Sequence, residues 1–217
     1  MSGFARLRGK AFAAMYDRMN AAAERTLVGN HRAKVVGTAH GVVVEIGAGT
    51  GANLPHYDAG QIDRLLLTEP DPHMRRRLQW KIDGAAPQVR EIAAAVDGSA
   101  ERIELPDASA DVVISTLVLC SVSDLAASAV EAVRVLKPGG KLLFLEHVCS
   151  GHASVRRWQD RLTPIQRRLA GGCHLNRDTL TALRAAGLET DDVERWEFPG
   201  RLGRLMPIVE GAARKAG

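Results

Sequence analysis

Val42-Val43-Val44-Glu45-Ile46-Gly47-Ala48-Gly49-Thr50-Gly51 decides the fold. The apolar run is bounded by Gly41 and Gly47, which reads as a strand of a parallel sheet buried on both faces. The glycines behind it let the chain turn tightly and let a ligand approach bare backbone. Open α/β sheets place ligands at the carboxyl ends of their strands. A nucleotide-type cofactor is therefore expected over this turn.

The spacing Gly47-x-Gly49-x-x-Ala52 also passes as a dinucleotide fingerprint, so the glycines alone do not choose the cofactor. Glu45 is more informative. A carboxylate beside the cradle repels a pyrophosphate. S-adenosylmethionine has no phosphate; it carries an ammonium and a sulfonium, which an acid suits. The helix start that follows suits its carboxylate.

Length and composition set the bounds. The chain has 217 residues, enough for one good core and hardly enough for two domains. It is 46% hydrophobic and 25% charged, ordinary for a soluble globular protein. The net charge of +4 is spread along the chain and aromatics make up 4%, so no nucleic-acid partner is expected. Cys120, Cys149 and Cys173 are far apart, with no Cys-x-x-Cys. This sparse set fits a reducing cytosol. No paired ligand stands at a recognisable spacing, so no metal is expected. Arg6, Arg8 and Lys10 interrupt any signal-peptide core, and no run is long enough to span a membrane. A cytoplasmic protein without a stable membrane anchor, a monomer or homodimer, is the expectation.

Outward from the turn, Arg64 to Glu69 reads as strand two, which places Glu69 beside the cofactor ribose. Asp71 caps the next helix with Pro72 at its first position, and Met74 can touch the adenine. Val89 to Ala95 is the expected third strand and Asp111 to Thr116 the fourth. The exit of strand four, Leu117 to Val122, lines the cleft. A helix to Leu136 ends at Lys137-Pro138-Gly139-Gly140, a turn signal, and Lys141 to Val148 is strand five. Ala153 to Ala170 reads as a basic helix with Pro164 inside it, and Gly187 ends a further helix. Leu188 to Phe198 and Leu205 to Glu210 are the last strands. Residues 3–28 show a helical apolar repeat. The layout is one domain over 1–217: an N-terminal helical lid (1–32), a cofactor-binding core (33–150), a helical substrate cover (151–186) and the last strands (187–217).

Glu45-Ile46-Gly47-Ala48-Gly49-Thr50-Gly51 resembles the first motif of class I S-adenosylmethionine-dependent methyltransferases, and the Lys-Pro-Gly-Gly block resembles their post-cofactor motif. Thr68-Glu69-Pro70-Asp71-Pro72-His73, Thr116-Leu117-Val118-Leu119-Cys120-Ser121-Val122, Glu146-His147-Val148 and Gly172-Cys173 with Asn176-Arg177-Asp178-Thr179 resemble, together, the methyltransferase-like 7 group of thiol S-methyltransferases and its soluble bacterial relatives. The resemblance implies an α/β Rossmann-like fold: a mostly parallel seven-stranded sheet, helices on both faces and a helical cover after strand five. It implies S-adenosylmethionine held by Glu45, Gly47, Ala48, Gly49, Gly51, Asn53, Glu69, Pro70, Met74, Ser99, Ala100, Thr116 and Leu117. Ser99 stands where the group commonly has Asp. The animal relatives carry a hydrophobic N-terminal anchor that is not seen here.

Methyl transfer from a sulfonium is an in-line displacement, so positioning carries much of the rate. A thiol acceptor is only about 3% ionised at pH 7. His147, at the end of strand five, can accept its proton, or it fixes the loop structurally. His174 in the cover is a second candidate. Glu146 is expected to orient His147 or to serve the cofactor, and Trp158 to cap an apolar pocket or simply pack. The leading expectation is methylation of small thiols. Methylation of oxygen, nitrogen or carbon on a small metabolite, such as a phenol or quinone precursor, is the enzymatic alternative. A catalytically silent cofactor-binding protein is the other.

Overall fold

The computed structural model describes residues 28–200 and 203–217. The N-terminal lid assigned to residues 1–32 therefore lies almost wholly outside the described residues. Helix α1 (Gly29–Val36) leads into β1 (Gly41–Ile46), then β2 (Ile62–Thr68), α2 (Pro72–Asp83), α3 (Pro87–Ile92), β3 (Ala93–Val96) and β4 (Ala110–Thr116). Helix α4 (Leu125–Val135), β5 (Leu136–His147), α5 (Ala153–Leu169), α6 (Thr179–Ala185), β6 (Leu188–Glu197) and β7 (Pro207–Lys215) complete the order.

One seven-stranded sheet runs β3-β2-β1-β4-β5-β7-β6. Strands β1 to β5 pair in parallel, and β7 is antiparallel to both β5 and β6. The chain builds outward from β1 to β3, then returns to lay β4 on the other side of β1. That reversal makes the crevice at the carboxyl ends of β1 and β4 the natural ligand site. Side-chain alternation explains why the strands are apolar throughout. Val44, Ile46, Val113, Leu142 and Phe144 pack with α4 and α6, while Val43, Leu65, Leu67, Val112 and Ile114 pack with α1 and α2.

The strand assignments need three corrections: Lys137 to Gly140 lies within β5, which already begins at Leu136; the last strand begins at Pro207 and runs on past Glu210 to Lys215; and the third strand starts late. Val89 to Ile92 is helical, and β3 begins only at Ala93. Pro87 at the first position starts a short helix there. Strand β3 is then held by its pairing to Leu65–Thr68 rather than by β-forming residues of its own. Elsewhere Asp71 caps α2 by accepting from the His73 and Met74 backbone N–H groups, and Pro164 sits within a continuous α5.

Candidate active site

The first wall of the crevice is the glycine turn. Gly47, Gly49 and Gly51 all have positive φ, where glycine is favoured. Their surroundings differ. A Cβ on Gly47 would strike Val118, and one on Gly51 would strike Leu54 and Leu78. A Cβ on Gly49 would meet no atom of the described residues within 4 Å. The backbone is thus bared at Gly49 toward open space, as a cradle requires. Glu69 braces it: one oxygen accepts from Gly49 N at 2.8 Å, the other from Asp71 N at 2.8 Å. Each oxygen keeps a lone pair, so Glu69 remains able to accept from a ribose.

Beneath the turn lies a closed polar network. Glu45 is 2% exposed and accepts from Asn53 Nδ2 at 2.9 Å and Tyr57 Oη at 2.6 Å. Asn53 also donates to Thr116 Oγ1, and Arg32 donates to both Asn53 Oδ1 and Thr116 Oγ1. Both Glu45 oxygens are already partnered, so its influence on a cation above the turn is chiefly a matter of field. Burial pushes its carboxyl up to about 7, against the pull of Tyr57, Arg32 and Asn53. Arg32, a member that sequence reading missed, sits too far along the chain from any motif to be read from spacing.

The remaining cofactor residues ring the same edge. Met74 stands half-buried in the first turn of α2, and Pro70 is exposed beside it. Ala100 is buried, and Ser99 is partly buried and hydrogen-bonds Glu101. Glu101 in turn accepts from the Ser123 and Asp124 backbone. Ser99 therefore helps tie its loop to the start of α4. Leu117 leaves β4 at φ +61, a conformation that side chains rarely adopt and that clusters at functional sites.

Glu146 explains that strained exit. Its buried carboxylate accepts from Ser115 Oγ at 2.6 Å and from the backbone of Val118, Leu119 and Cys120 at 2.9, 3.1 and 3.3 Å. Its hydrogen bonds orient the β4 exit, not His147, which corrects the sequence expectation. The cover is stitched to the same exit. His174 N donates to Cys120 O at 2.8 Å, while Arg177 donates to Leu119 O and Val122 O. Gln159, fully buried on α5, accepts from Ser150 N and donates to the carbonyls of Val148 and Leu205. Among the described residues Trp158 is 55% exposed, with Arg161 over its ring.

These clamps bring together three residues from three elements. Cys120 on the β4 exit, His147 at the end of β5 and Cys173 after α5 have ligand-type atoms all within 4.8 Å of one another. His147 Nδ1 lies 3.4 Å from Cys173 Sγ, and its buried Nε2 has no hydrogen-bond partner among the described residues. The three cysteines are free thiols. The hydrogen bond between Cys120 and Cys173 pushes the Cys120 thiol up, with burial adding to it, and pulls Cys173 down, with His147 adding to the second effect. His174 stands half-buried at the rim, with Nδ1 3.2 Å from Cys120 O. Linear spacing gave no metal-ligand pattern; the fold brings together three side chains of ligand type that spacing kept apart.

A methyltransferase domain family matches residues 44–144. Human thiol S-methyltransferase TMT1B is 34% identical over 80% of this chain and 70% of its own length. Human thiol S-methyltransferase TMT1A is 31% identical over 94% of this chain and 83% of its own. Among solved structures, the YcgJ protein of Bacillus subtilis superposes with a TM-score of 0.72 at 14% identity, covering 87% of this chain and 99% of that one. Geranyl diphosphate methyltransferase in complex with S-adenosylmethionine gives a TM-score of 0.68 at 11% identity, covering 85% and 84%. The solved structures speak to the fold alone.

Proposed function

Because the chain belongs to the class I S-adenosylmethionine-dependent methyltransferases, in the group of human TMT1A and TMT1B, we propose that it methylates the sulfur of small, apolar thiols. The observation that carries this reading is the similarity to two thiol S-methyltransferases over most of the chain. A soft, sulfur-rich cluster beside the expected methyl position supports it. Glu69, Gly49, Thr116 and Leu117 would hold the cofactor along the crevice. His147 and His174 are the proposed catalytic side chains, the first within the cysteine cluster and the second at its rim. Residues 151–186 form the substrate cover. Among the described residues no helix is long and apolar enough to cross a membrane. We take the protein to act in the cytoplasm as a monomer or homodimer.

The test is transfer of labelled methyl from S-adenosylmethionine to a panel of thiols, phenols, amines and quinols, with products identified by mass. Label only on sulfur is the expected outcome. Label on oxygen, nitrogen or carbon would leave the methyltransferase assignment standing and remove the thiol reading.

A further inference from the structure

We infer that Cys120, His147 and Cys173 form a zinc site whose fourth coordination position receives the acceptor sulfur. This deepens the thiol reading and rests on it for the acceptor's identity. The metal site itself rests on geometry.

Three features carry it. The ligand set, two thiolates and one imidazole, is that of a catalytic Cys2His zinc centre with one position left open. Bonds of about 2.3 Å to sulfur and 2.0 Å to nitrogen at tetrahedral angles separate N and S by about 3.5 Å. His147 Nδ1 and Cys173 Sγ stand 3.4 Å apart, and all three ligand atoms fall within 4.8 Å. The site is also built rather than accidental. Glu146 fixes the Cys120 backbone, the pairing of β5 with β7 fixes His147, and the bonds from His174 and Arg177 fix the loop that carries Cys173. Finally, the cluster is underserved without an ion. Cys120 and His147 are 2% exposed, and the one contact of the ring's Nδ1 among the described residues is the 3.4 Å approach to Cys173 Sγ, so no strong acceptor or donor competes with an ion for that nitrogen. Buried polar atoms in native proteins normally find good partners, and a weakly served one points to a catalytic role or to a bound ion or water.

The chemistry balances. Cys120 and Cys173 give up their protons as zinc binds, so two thiolates and a neutral imidazole offset the ion's charge. An acceptor thiol then loses its S–H proton to solvent as its sulfur joins the metal, because a coordinating thiol is deprotonated. Its lone pair forms the new S–CH3 bond while the sulfonium S–CH3 bond breaks. The electron pair stays on the departing sulfur, now a neutral thioether. The methylated acceptor is also a neutral thioether, a weak zinc ligand, and leaves. Zinc does not change oxidation state. A borderline-soft ion in a thiolate site favours sulfur over a phenol oxygen, which gives the proposed acceptor class a physical basis.

The full chain, produced with zinc and purified with a phosphine reductant and no chelator, should hold about one zinc per chain by elemental analysis. Cys120→Ser, Cys173→Ser and His147→Ala should each lose at least tenfold in zinc affinity. In case a variant fails to fold, the wild-type chain reconstituted with cobalt supplies a second readout. Thiolate-to-metal charge-transfer and tetrahedral d–d bands should appear, and a small aryl thiol should shift them where the matching phenol does not. A folded wild-type chain that holds no zinc, zinc that survives all three substitutions, or cobalt spectra without thiolate bands would overturn the site. A metal-free chain that still methylates thiols would overturn this inference and leave the thiol reading intact. A zinc-loaded chain that methylates only oxygen or carbon would do the reverse, except for the role of the fourth position.

Discussion

The glycine-turn side of the crevice and its cysteine side differ in how their polar atoms are served. Around Glu45 every carboxylate oxygen has a partner at 2.6–2.9 Å, and the bonds close through Asn53, Thr116 and Arg32. Around His147 the one ring hydrogen bond among the described residues is 3.4 Å to a sulfur, and Nε2 has none. Fully satisfied buried networks rigidify, whereas an underserved buried group marks strain, a catalytic role or a bound water or ion. The first side is a closed support beneath the cofactor turn; the second is where the inferred zinc would be held.

The largest effect should come from breaking the glycine-turn side at its open point. Gly49→Val adds a side chain where the described residues leave more than 4 Å free. The affinity for S-adenosylhomocysteine by calorimetry should fall at least a hundredfold, roughly 3 kcal/mol. Folding should cost only the positive-φ strain, about 1–2 kcal/mol, since no packed neighbour is displaced. Retained cofactor affinity in the folded variant would move the cradle elsewhere.

Next in size is Glu146→Gln, which tests whether the two sides can be separated. The amide oxygen can still accept from Ser115, Val118 and Leu119, but its NH2 then faces the Cys120 N–H, donor against donor. Stability should drop by about 1–3 kcal/mol. Turnover of thiols should fall about tenfold as Cys120 shifts. Cofactor affinity should change less than threefold. Equal loss of both would mean that the β4 exit serves the cofactor as much as the acceptor.

The contrast also explains what could be read from sequence. The turn, Glu69 and the Asp71 cap are contiguous signals in which residue type follows directly from backbone need. The Arg32–Asn53–Thr116 links and the Cys120–His147–Cys173 cluster are products of sheet order, which brings the ends of β4 and β5 side by side. No spacing rule encodes that adjacency. Glu146 was misjudged for a related reason: alternation along β5 gave its face, but not the backbone donors of the neighbouring exit. Strand β3 was misplaced because Val89 and Ile92 suit a strand as well as a helix, and Pro87 decided for the helix.

The smallest expected effect is a pH dependence confined to the glycine-turn side. Glu45 carries a carboxyl raised to about 7 in the fold, against a usual value of 4.5. Between those values the folded chain holds a proton that the unfolded chain has released. Stability therefore falls as pH rises through that window, by an amount on the order of 1–3 kcal/mol, and Glu45→Gln should flatten the slope. Binding reverses the preference. The ammonium and sulfonium of S-adenosylmethionine favour the ionised carboxylate, so binding should release a proton and tighten severalfold from pH 6 to 8. S-adenosylhomocysteine lacks the sulfonium charge and should show a shallower slope. Calorimetry in buffers of different ionisation enthalpy reads the proton directly. An affinity for S-adenosylmethionine that ignores pH in the wild-type chain would mean that the network insulates Glu45 from the cofactor. The support beneath the turn would then be mechanical rather than electrostatic.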